Sequence, residues 1–263
     1  MSSIASENLF ELFEWQHFPE DRKLIRYDAR GHGNTDTSFS PMDYHWRNLS
    51  QDMISIAHEF GGEAFLAGGQ SMGSATALYS AMLAPERVKG LVLMNPPTAW
   101  EVREPMANFF DGLSTMGAFY GGQLFASILD QKLDSFFPRW LVDQDKGNDQ
   151  VVLEGIKPFK RMTLFHLFKG AALTDLPSRD DISSVRAPTL ILAWKDDPSH
   201  PVEVAEELHE LIPNSELIIA EDYADIKIWP ERIREFVNSL SRPSSFYSPS
   251  LIKKAKDLLS DSV

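Results

Sequence analysis

The chain has 263 residues, enough for one large or two small domains with a real hydrophobic core. Hydrophobic residues make up 43% of the chain and charged residues 24%, which argues against wholesale disorder. The formal charge of −13 disfavours nucleic acid and anionic membranes as partners, and the absence of cysteine excludes disulfides, thiolate catalysis and Cys-ligated metal sites. We therefore expect a cytoplasmic protein that binds neither nucleic acid nor membranes, and we expect no metal or cofactor; its oligomeric state stays open.

The start of the chain has no targeting signal that we recognise. Residues 1–14 contain no basic region followed by an apolar stretch. No window of the chain holds the roughly eighteen uncharged apolar residues that a membrane helix needs. We expect neither a signal peptide nor a membrane span.

Short apolar runs alternate with amphipathic helical patterns, a rhythm typical of a parallel sheet covered by helices on both faces. The predicted strands are Leu24–Asp28, Ala64–Gly68, Leu91–Asn95, Thr189–Trp194 and Leu217–Ala220. The predicted helices are Tyr44–Phe60, Met72–Ala84, Val202–Leu211 and Pro230–Leu240. Between about Trp100 and Arg186 the rhythm gives way to aromatic residues at helical spacing, which indicates a helical insertion. The fold class is α/β.

The most informative motif is Gly69-Gln70-Ser71-Met72-Gly73, which lies between a predicted strand and an alanine-rich helix. This is the G-x-S-x-G nucleophile elbow in its required context. A serine in such a sharp turn adopts strained backbone angles, so Gly69 and Gly73 must be small for strand and helix to pass closely. The turn also directs the backbone N–H of Met72 toward a developing oxyanion. The alternative is an ordinary glycine-rich turn with an incidental serine.

Three further segments carry a resemblance to a known family. They are Arg26 to Asp36 (RYDARGHGNTD), Asn95-Pro96-Pro97, and Ala187 to Pro198 (APTLILAWKDDP). Together with the elbow they resemble the α/β-hydrolase fold family, and within it the esterase, lactonase and C–C hydrolase group. The resemblance implies a hydrolase core formed by residues 1–98 and 187–240, a helical cap at 99–186 and a C-terminal tail at 241–263.

A serine hydroxyl needs a base to take its proton, and that base needs an acid to fix its tautomer. The resemblance implies that the acid follows the Thr189–Trp194 strand, where Asp197 fits the family position better than Asp196. The alternative is that both aspartates only form a turn, which Asp favours in any case.

The base is less clear, because the family's histidine is missing. The resemblance places it just after the last strand, where this chain has Glu221 to Asp225 and no histidine follows. His200 lies in the loop after a strand's carboxyl end, where sheets of this class bind ligands, and is a candidate substitute. The alternative is that His200 is a loop histidine that caps the next helix. His166, from the insertion, is a weaker candidate, and Asp225 is an alternative partner for the base.

The N-terminal region also departs from the family. The resemblance implies three preceding strands and a His-Gly loop that supplies a second oxyanion donor, whereas only 22 residues precede Lys23. Leu9–Trp15 resembles the family's first helix. We therefore expect a shortened α/β-hydrolase fold that lacks a central strand and half of the oxyanion hole.

Two functional classes remain open. The first is a serine hydrolase of a small ester, lactone or related carbonyl compound, in which Ser71, His200, Asp197 and the Met72 N–H do the chemistry. The second is a non-catalytic relative that binds a ligand or protein partner. The intact elbow favours the first class and the missing histidine favours the second. The aromatic residues of the insertion indicate either an apolar pocket or plain helix packing.

Overall fold

The described part of the chain in the computed structural model comprises residues 22–130 and 153–240. Within it, four strands form one sheet in which every neighbouring pair is parallel. The strands are β1 (Phe65–Gln70), β2 (Val88–Met94), β3 (Thr189–Trp194) and β4 (Ser215–Ala220), and they lie side by side in that order. Because all four run the same way, their carboxyl ends meet at one edge, where loops converge.

Eight α-helices with both ends in these two ranges accompany the strands. They are α1 (Trp46–Glu59), α2 (Met72–Leu83), α3 (Arg103–Asp130), α4 (Arg161–Ala172), α5 (Arg179–Ser183), α6 (Val202–Leu211), α7 (Tyr223–Lys227) and α8 (Trp229–Ser239). None of the helices in the described ranges has the length and apolar character needed to cross a lipid bilayer.

Both faces of the sheet are covered. On one face, residues of α1, α2 and α6 form a core with Leu91 and Leu93 of β2 and with Ile191 and Ala193 of β3. On the other face, α7 and α8 pack on the alternate residues of the same strands, and the rings of Trp194 and Trp229 stack. Every residue of β3 is buried, as expected for a strand covered on both faces. The predicted α/β class is confirmed.

The chain between β2 and β3 forms a helical insertion with a core of its own. α3 bends at Gly121, whose φ of 70° is outside the helical range. It packs against α4 through a cluster that includes Phe125, Leu164 and Phe168. This cluster is separate from the two clusters that flank the sheet.

A buried arginine joins this insertion to the sheet domain. The guanidinium of Arg103, at the start of α3, donates to the carbonyls of Thr174 and Ala171 and to the hydroxyl of Thr98, and it lies over the ring of Trp46. Burial lowers the pKa of Arg103 to about 10, so the side chain still carries its charge at neutral pH.

Most predicted elements are present, with shifted ends. β3 and α6 have the predicted bounds, and β1 begins one residue and ends two residues later than predicted.

The predicted strand Leu24–Asp28 is wrong, because that segment forms no ladder with any described residue. A β-strand is defined by its hydrogen bonds to a neighbouring strand, and this segment has none among the described residues. Its Tyr27 packs against the hydrophobic core that α1, α2 and α6 form on one face of the sheet. The predicted helix Leu9–Trp15 and the predicted tail lie outside the described residues.

Candidate active site

Ser71 is the single residue between the end of β1 and the start of α2. Its φ of 53° and ψ of −117° place it in a region of backbone space that non-glycine residues rarely adopt. Its N–H donates to the carbonyl of Met94 on β2 at 2.9 Å, and its own carbonyl accepts the Ser74 hydroxyl at 2.7 Å. The sharp strand-to-helix turn predicted from the sequence is present, and it is held at both ends.

The close passage of strand and helix depends on glycine at position 69. A Cβ at Gly69 would lie 2.6–2.8 Å from backbone atoms of Gly73 in the first turn of α2. Contacts with backbone at that distance are relieved only by moving the helix away from the strand. The spacing of the two glycines therefore has the steric cause inferred from the sequence.

We expect Gly69→Ala to lower the free energy of unfolding by roughly 1–3 kcal/mol or more, because the added methyl group overpacks the elbow. Urea denaturation measures this change. Gly112→Ala is the matched control, because a Cβ there meets no atom within 4 Å and alanine is the better helix former in α3. Equal stability of the two variants would show that the elbow yields to a methyl group and that its close packing is unimportant.

The Ser71 hydroxyl is hydrogen-bonded to a histidine that is remote in sequence. Oγ of Ser71 lies 2.7 Å from Nε2 of His200, and Nδ1 of His200 lies 2.7 Å from Oδ2 of Asp197. The three side chains thus form a continuous hydrogen-bonded chain. It is located at the carboxyl edge of the sheet, because Ser71 follows β1 and both other residues follow β3.

A single turn after β3 brings Asp197 and His200 together. The backbone N–H of His200 donates to the carbonyl of Asp197 at 3.1 Å, which closes the turn Asp197-Pro198-Ser199-His200. The two side chains leave this turn on the same side, so that Nδ1 of His200 reaches Oδ2 of Asp197. Asp196, by contrast, has a φ of 65° and is exposed, so it only shapes the turn.

The Asp197 carboxylate is fully buried but well supplied with donors. Its Oδ2 accepts from Nε1 of Trp194 at 2.7 Å as well as from His200, and its Oδ1 accepts from the Ser199 N–H at 2.9 Å. Burial by itself would raise the pKa of Asp197. Electrostatic attraction to His200 and the hydrogen bonds from His200, Trp194 and Ser199 outweigh burial, so the pKa is lowered below its usual value. Asp197 is therefore ionised near neutral pH.

An ionised Asp197 fixes the tautomer of His200. A carboxylate accepts only, so Nδ1 of His200 carries the proton and donates to Oδ2. Nε2 then presents its lone pair to Ser71, whose hydroxyl donates to it. This arrangement can take a proton from Ser71 while the oxygen attacks an electrophile.

A donor for a developing negative charge lies next to the hydroxyl. Met72 is the first residue of α2, so its N–H has no acceptor within that helix, and the positive end of the helix dipole lies at this point. An oxygen that becomes negative beside Ser71 can bind there.

The other candidate side chains lie elsewhere. Nδ1 of His166 is 3.2 Å from the carbonyl of Ser38, on the side of α4 that faces the segment before α1. Asp225 accepts the N–H of Glu221, and Glu221 pairs with Lys195, so the turn after β4 is engaged in capping and surface ion pairs. Helix α6 has Pro201 as its N-cap without a side-chain cap, so His200 does not cap it.

The aromatic residues of the insertion divide into two groups. Phe109, Phe110 and Phe125 pack within its own cluster, whereas Phe119 and Tyr120 are exposed to solvent at 71% and 49%. Helix packing explains the first group.

Sequence reasoning missed two contributors to the site. Trp194 was predicted only as the end of a strand, although a buried indole N–H needs an acceptor and Asp197 lies three residues later. Thr98 was not singled out, yet its N–H donates to the carbonyl of Ser199 at 3.2 Å and holds the Asp197–His200 turn in place. Among residues 22–130 and 153–240, no group of three or more His, Asp or Glu side chains is placed to hold a metal ion.

Comparison of the chain with known proteins identifies its family. A family model described as the alpha/beta hydrolase fold matches residues 7–231. The AB hydrolase superfamily protein YisY of Bacillus subtilis (strain 168) is 25% identical over 225 residues, which cover 79% of this chain and 77% of that protein.

Two solved structures share the fold. A thermophilic esterase from Thermogutta terrifontis superposes with a TM-score of 0.71 at 17% identity, covering 89% of this chain and 84% of that chain. The enol-lactonase from Burkholderia xenovorans LB400 gives a TM-score of 0.66 at 18% identity, with 81% and 80% covered. Since the family model spans most of the sequence, the chain belongs to the alpha/beta hydrolase fold family.

Proposed function

We propose that this protein is a serine hydrolase that acts on a small ester, lactone or related carbonyl compound. The observation that carries the proposal is the chain of two 2.7 Å hydrogen bonds from Ser71 through His200 to Asp197. The esterase and enol-lactonase named above lend support by analogy of fold. In this proposal the base comes from the loop after β3.

Catalysis begins when Oγ of Ser71 attacks the substrate's carbonyl carbon while Nε2 of His200 takes the hydroxyl proton. The carbonyl oxygen becomes an oxyanion and accepts the Met72 N–H. Asp197 stabilises the imidazolium formed on His200 and keeps its ring oriented. The tetrahedral species then collapses, the bond to the leaving oxygen breaks, and His200 gives its proton to that oxygen.

The second half returns the enzyme to its starting state. A water molecule attacks the acyl-Ser71 ester while His200 takes one of its protons. Collapse of the second tetrahedral species breaks the bond between the acyl carbon and Oγ of Ser71. His200 protonates Oγ, and the carboxylic acid product leaves.

The proposal predicts that a fluorophosphonate labels the protein at Ser71, because only an activated serine attacks phosphorus readily. Mass spectrometry of the digested protein locates the adduct. The adduct should be absent from Ser71→Ala and unchanged in Ser55→Ala, since Ser55 is an exposed serine of α1 whose hydroxyl donates only to Gln51.

The alternative class is a relative that binds a ligand or protein without catalysis. No adduct at Ser71, under conditions that label a control esterase, combined with no turnover of any short-chain ester, would favour that class and overturn the hydrolase proposal.

A further inference from the structure

Asn95 is a buried polar residue that the proposed mechanism does not use. It follows β2 directly, its side chain is fully buried, and neither its amide nitrogen nor its amide oxygen has a hydrogen-bond partner among residues 22–130 and 153–240. Buried amide groups in native proteins are almost always satisfied, by protein or by ordered water. The side chain of Asn95 therefore needs a partner that the described protein atoms do not supply.

The backbone of Asn95 lies between the two halves of the candidate active site. The carbonyl of Met94, in the same peptide group as the Asn95 nitrogen, accepts the N–H of Ser71, and the N–H of Asn95 donates to Leu192 on β3 at 2.7 Å. The last register pair of β1 and β2 joins Gln70 and Met94, so Ser71 and Asn95 are the next residues of the two neighbouring chain segments.

The loop after Asn95 is joined to the acid–base turn. Pro96 and Pro97 stiffen it, and Thr98 then donates its N–H to Ser199, which lies between Asp197 and His200. One short segment, Asn95–Thr98, is thus held to the serine on one side and to the acid–base turn on the other.

Asp197 has capacity for one more hydrogen bond. Its Oδ2 accepts two, from Trp194 and His200, whereas its Oδ1 accepts only the Ser199 N–H within the described part of the chain. A carboxylate oxygen has two lone-pair sites, and this side chain is fully buried. A buried amide thus lies directly after β2, and a buried acceptor lies three residues after the end of the neighbouring strand β3.

We propose that Asn95 is a positioning residue whose amide holds an internal water molecule, and that this water donates to the Asp197 carboxylate. The inference rests on the proposed function. The water meets the two to four polar partners that an internal water requires, since the amide both donates and accepts and the carboxylate accepts. This water holds the Asp197 carboxylate in place, and Asp197 in turn holds His200.

The backbone of Asn95 offers a competing explanation. Its φ of 43° lies in the left-handed region, where Asn and Gly are the favoured residues. If backbone conformation is the whole reason for Asn at this position, glycine serves equally well. Asn95→Gly therefore separates the two explanations, because it keeps the backbone geometry and removes the amide.

We expect Asn95→Gly to lower kcat for a short-chain ester by about tenfold, the loss of one hydrogen bond to a charged group, with KM little changed. Asn95→Asp should behave differently, because a protonated carboxyl group imitates the amide and an ionised one repels Asp197. Its kcat should approach the wild-type value at low pH and fall through an additional ionisation as pH rises, a step absent from Asn95→Gly.

The ionisable groups near this position are few. The elements on the β1 side, β1 and the first turn of α2, carry none. The β3 loop contributes Asp197 and His200, with Asp196 exposed, and Arg103 of α3 reaches Thr98. The additional ionisation in Asn95→Asp is therefore identified by comparison with the wild-type pH profile, because Asp197 and His200 are present in both proteins.

A crystal structure at high resolution gives a test that does not depend on activity. We expect an ordered water within hydrogen-bond distance of both the Asn95 amide and the Asp197 carboxylate. A dry site, or an amide bonded directly to protein, overturns the inference, as does wild-type kcat in Asn95→Gly. If the wild-type protein hydrolyses no ester, the proposed function fails, and the presence or absence of that water alone decides this inference.

Discussion

We expect His200→Ala to lower kcat/KM for a short-chain ester by about a hundredfold or more, the usual contribution of a general base. The reason is local, because Nε2 of His200 is the atom that the structure places 2.7 Å from Oγ of Ser71. Without the imidazole, the Ser71 hydroxyl keeps its proton and remains a weak nucleophile. Steady-state kinetics with a panel of short-chain esters measures the loss.

His166→Ala is the matched control for this experiment. His166 is also largely buried, but its Nδ1 faces the carbonyl of Ser38 in a different part of the protein. Circular dichroism and thermal melts should show that both variants are folded. If His200→Ala and the wild type turn over esters equally fast, His200 is not the base.

Local patterns in the sequence were enough to predict the centre of the fold. β3 is a continuous run of apolar and β-branched residues, and α6 follows a proline, so both have the predicted bounds. The elbow was predictable because Gly69 and Gly73 are required by sterics, whatever the rest of the chain does. β1 ends later than predicted because its pairing with β2 continues through Gln70 and Met94, past two glycines that looked like a strand end.

Features that depend on distant parts of the chain were harder to predict. Leu24–Asp28 has the composition of a strand, but a strand requires a partner, and a composition pattern carries no information about one. The family resemblance suggested that the sheet lacks a neighbour there, and in the described residues β1 pairs only with β2.

The contact between the candidate base and Ser71 also depends on distant parts of the chain and was therefore hard to predict. Sequence could place His200 in the loop after β3, but whether it meets Ser71 depends on the turn from Asp197 to His200 and on the Thr98–Ser199 hydrogen bond. Neither is visible as a motif. Asp225 remained an alternative partner for the same reason, and in the structure it accepts the N–H of Glu221 instead.

The second large effect is expected from Asp197→Asn, which should lower kcat by about 10³- to 10⁴-fold, as an acid-to-amide change in a serine protease triad does. The amide nitrogen must take the place of one carboxylate oxygen. At the Oδ2 position it would face the donors of Trp194 and His200, and at the Oδ1 position it would face the Ser199 N–H. The first placement drives His200 toward the tautomer with its proton on Nε2, which cannot accept the Ser71 proton.

Asp196→Asn is the control for this variant, because Asp196 is exposed and asparagine tolerates its left-handed φ of 65°. Its kcat should match the wild type. An Asp197→Asn enzyme as active as Asp196→Asn would mean that His200 needs no carboxylate partner.

Stability should also change with pH in a way that identifies Asp197. Its pKa is lowered on folding, so ionised Asp197 stabilises the native state fully above its ordinary pKa of 3.8, and this stabilisation is lost as pH falls through the lower folded-state pKa. Asp197→Asn lacks a titrating group at this position. The difference in the free energy of unfolding between wild type and Asp197→Asn, measured by urea denaturation, should therefore shrink as the pH falls below about 4. A difference that does not shrink below about pH 4 would show that the carboxylate gains nothing from the donors of His200, Trp194 and Ser199, and that the hydrogen-bonded chain to Ser71 does not depend on its charge.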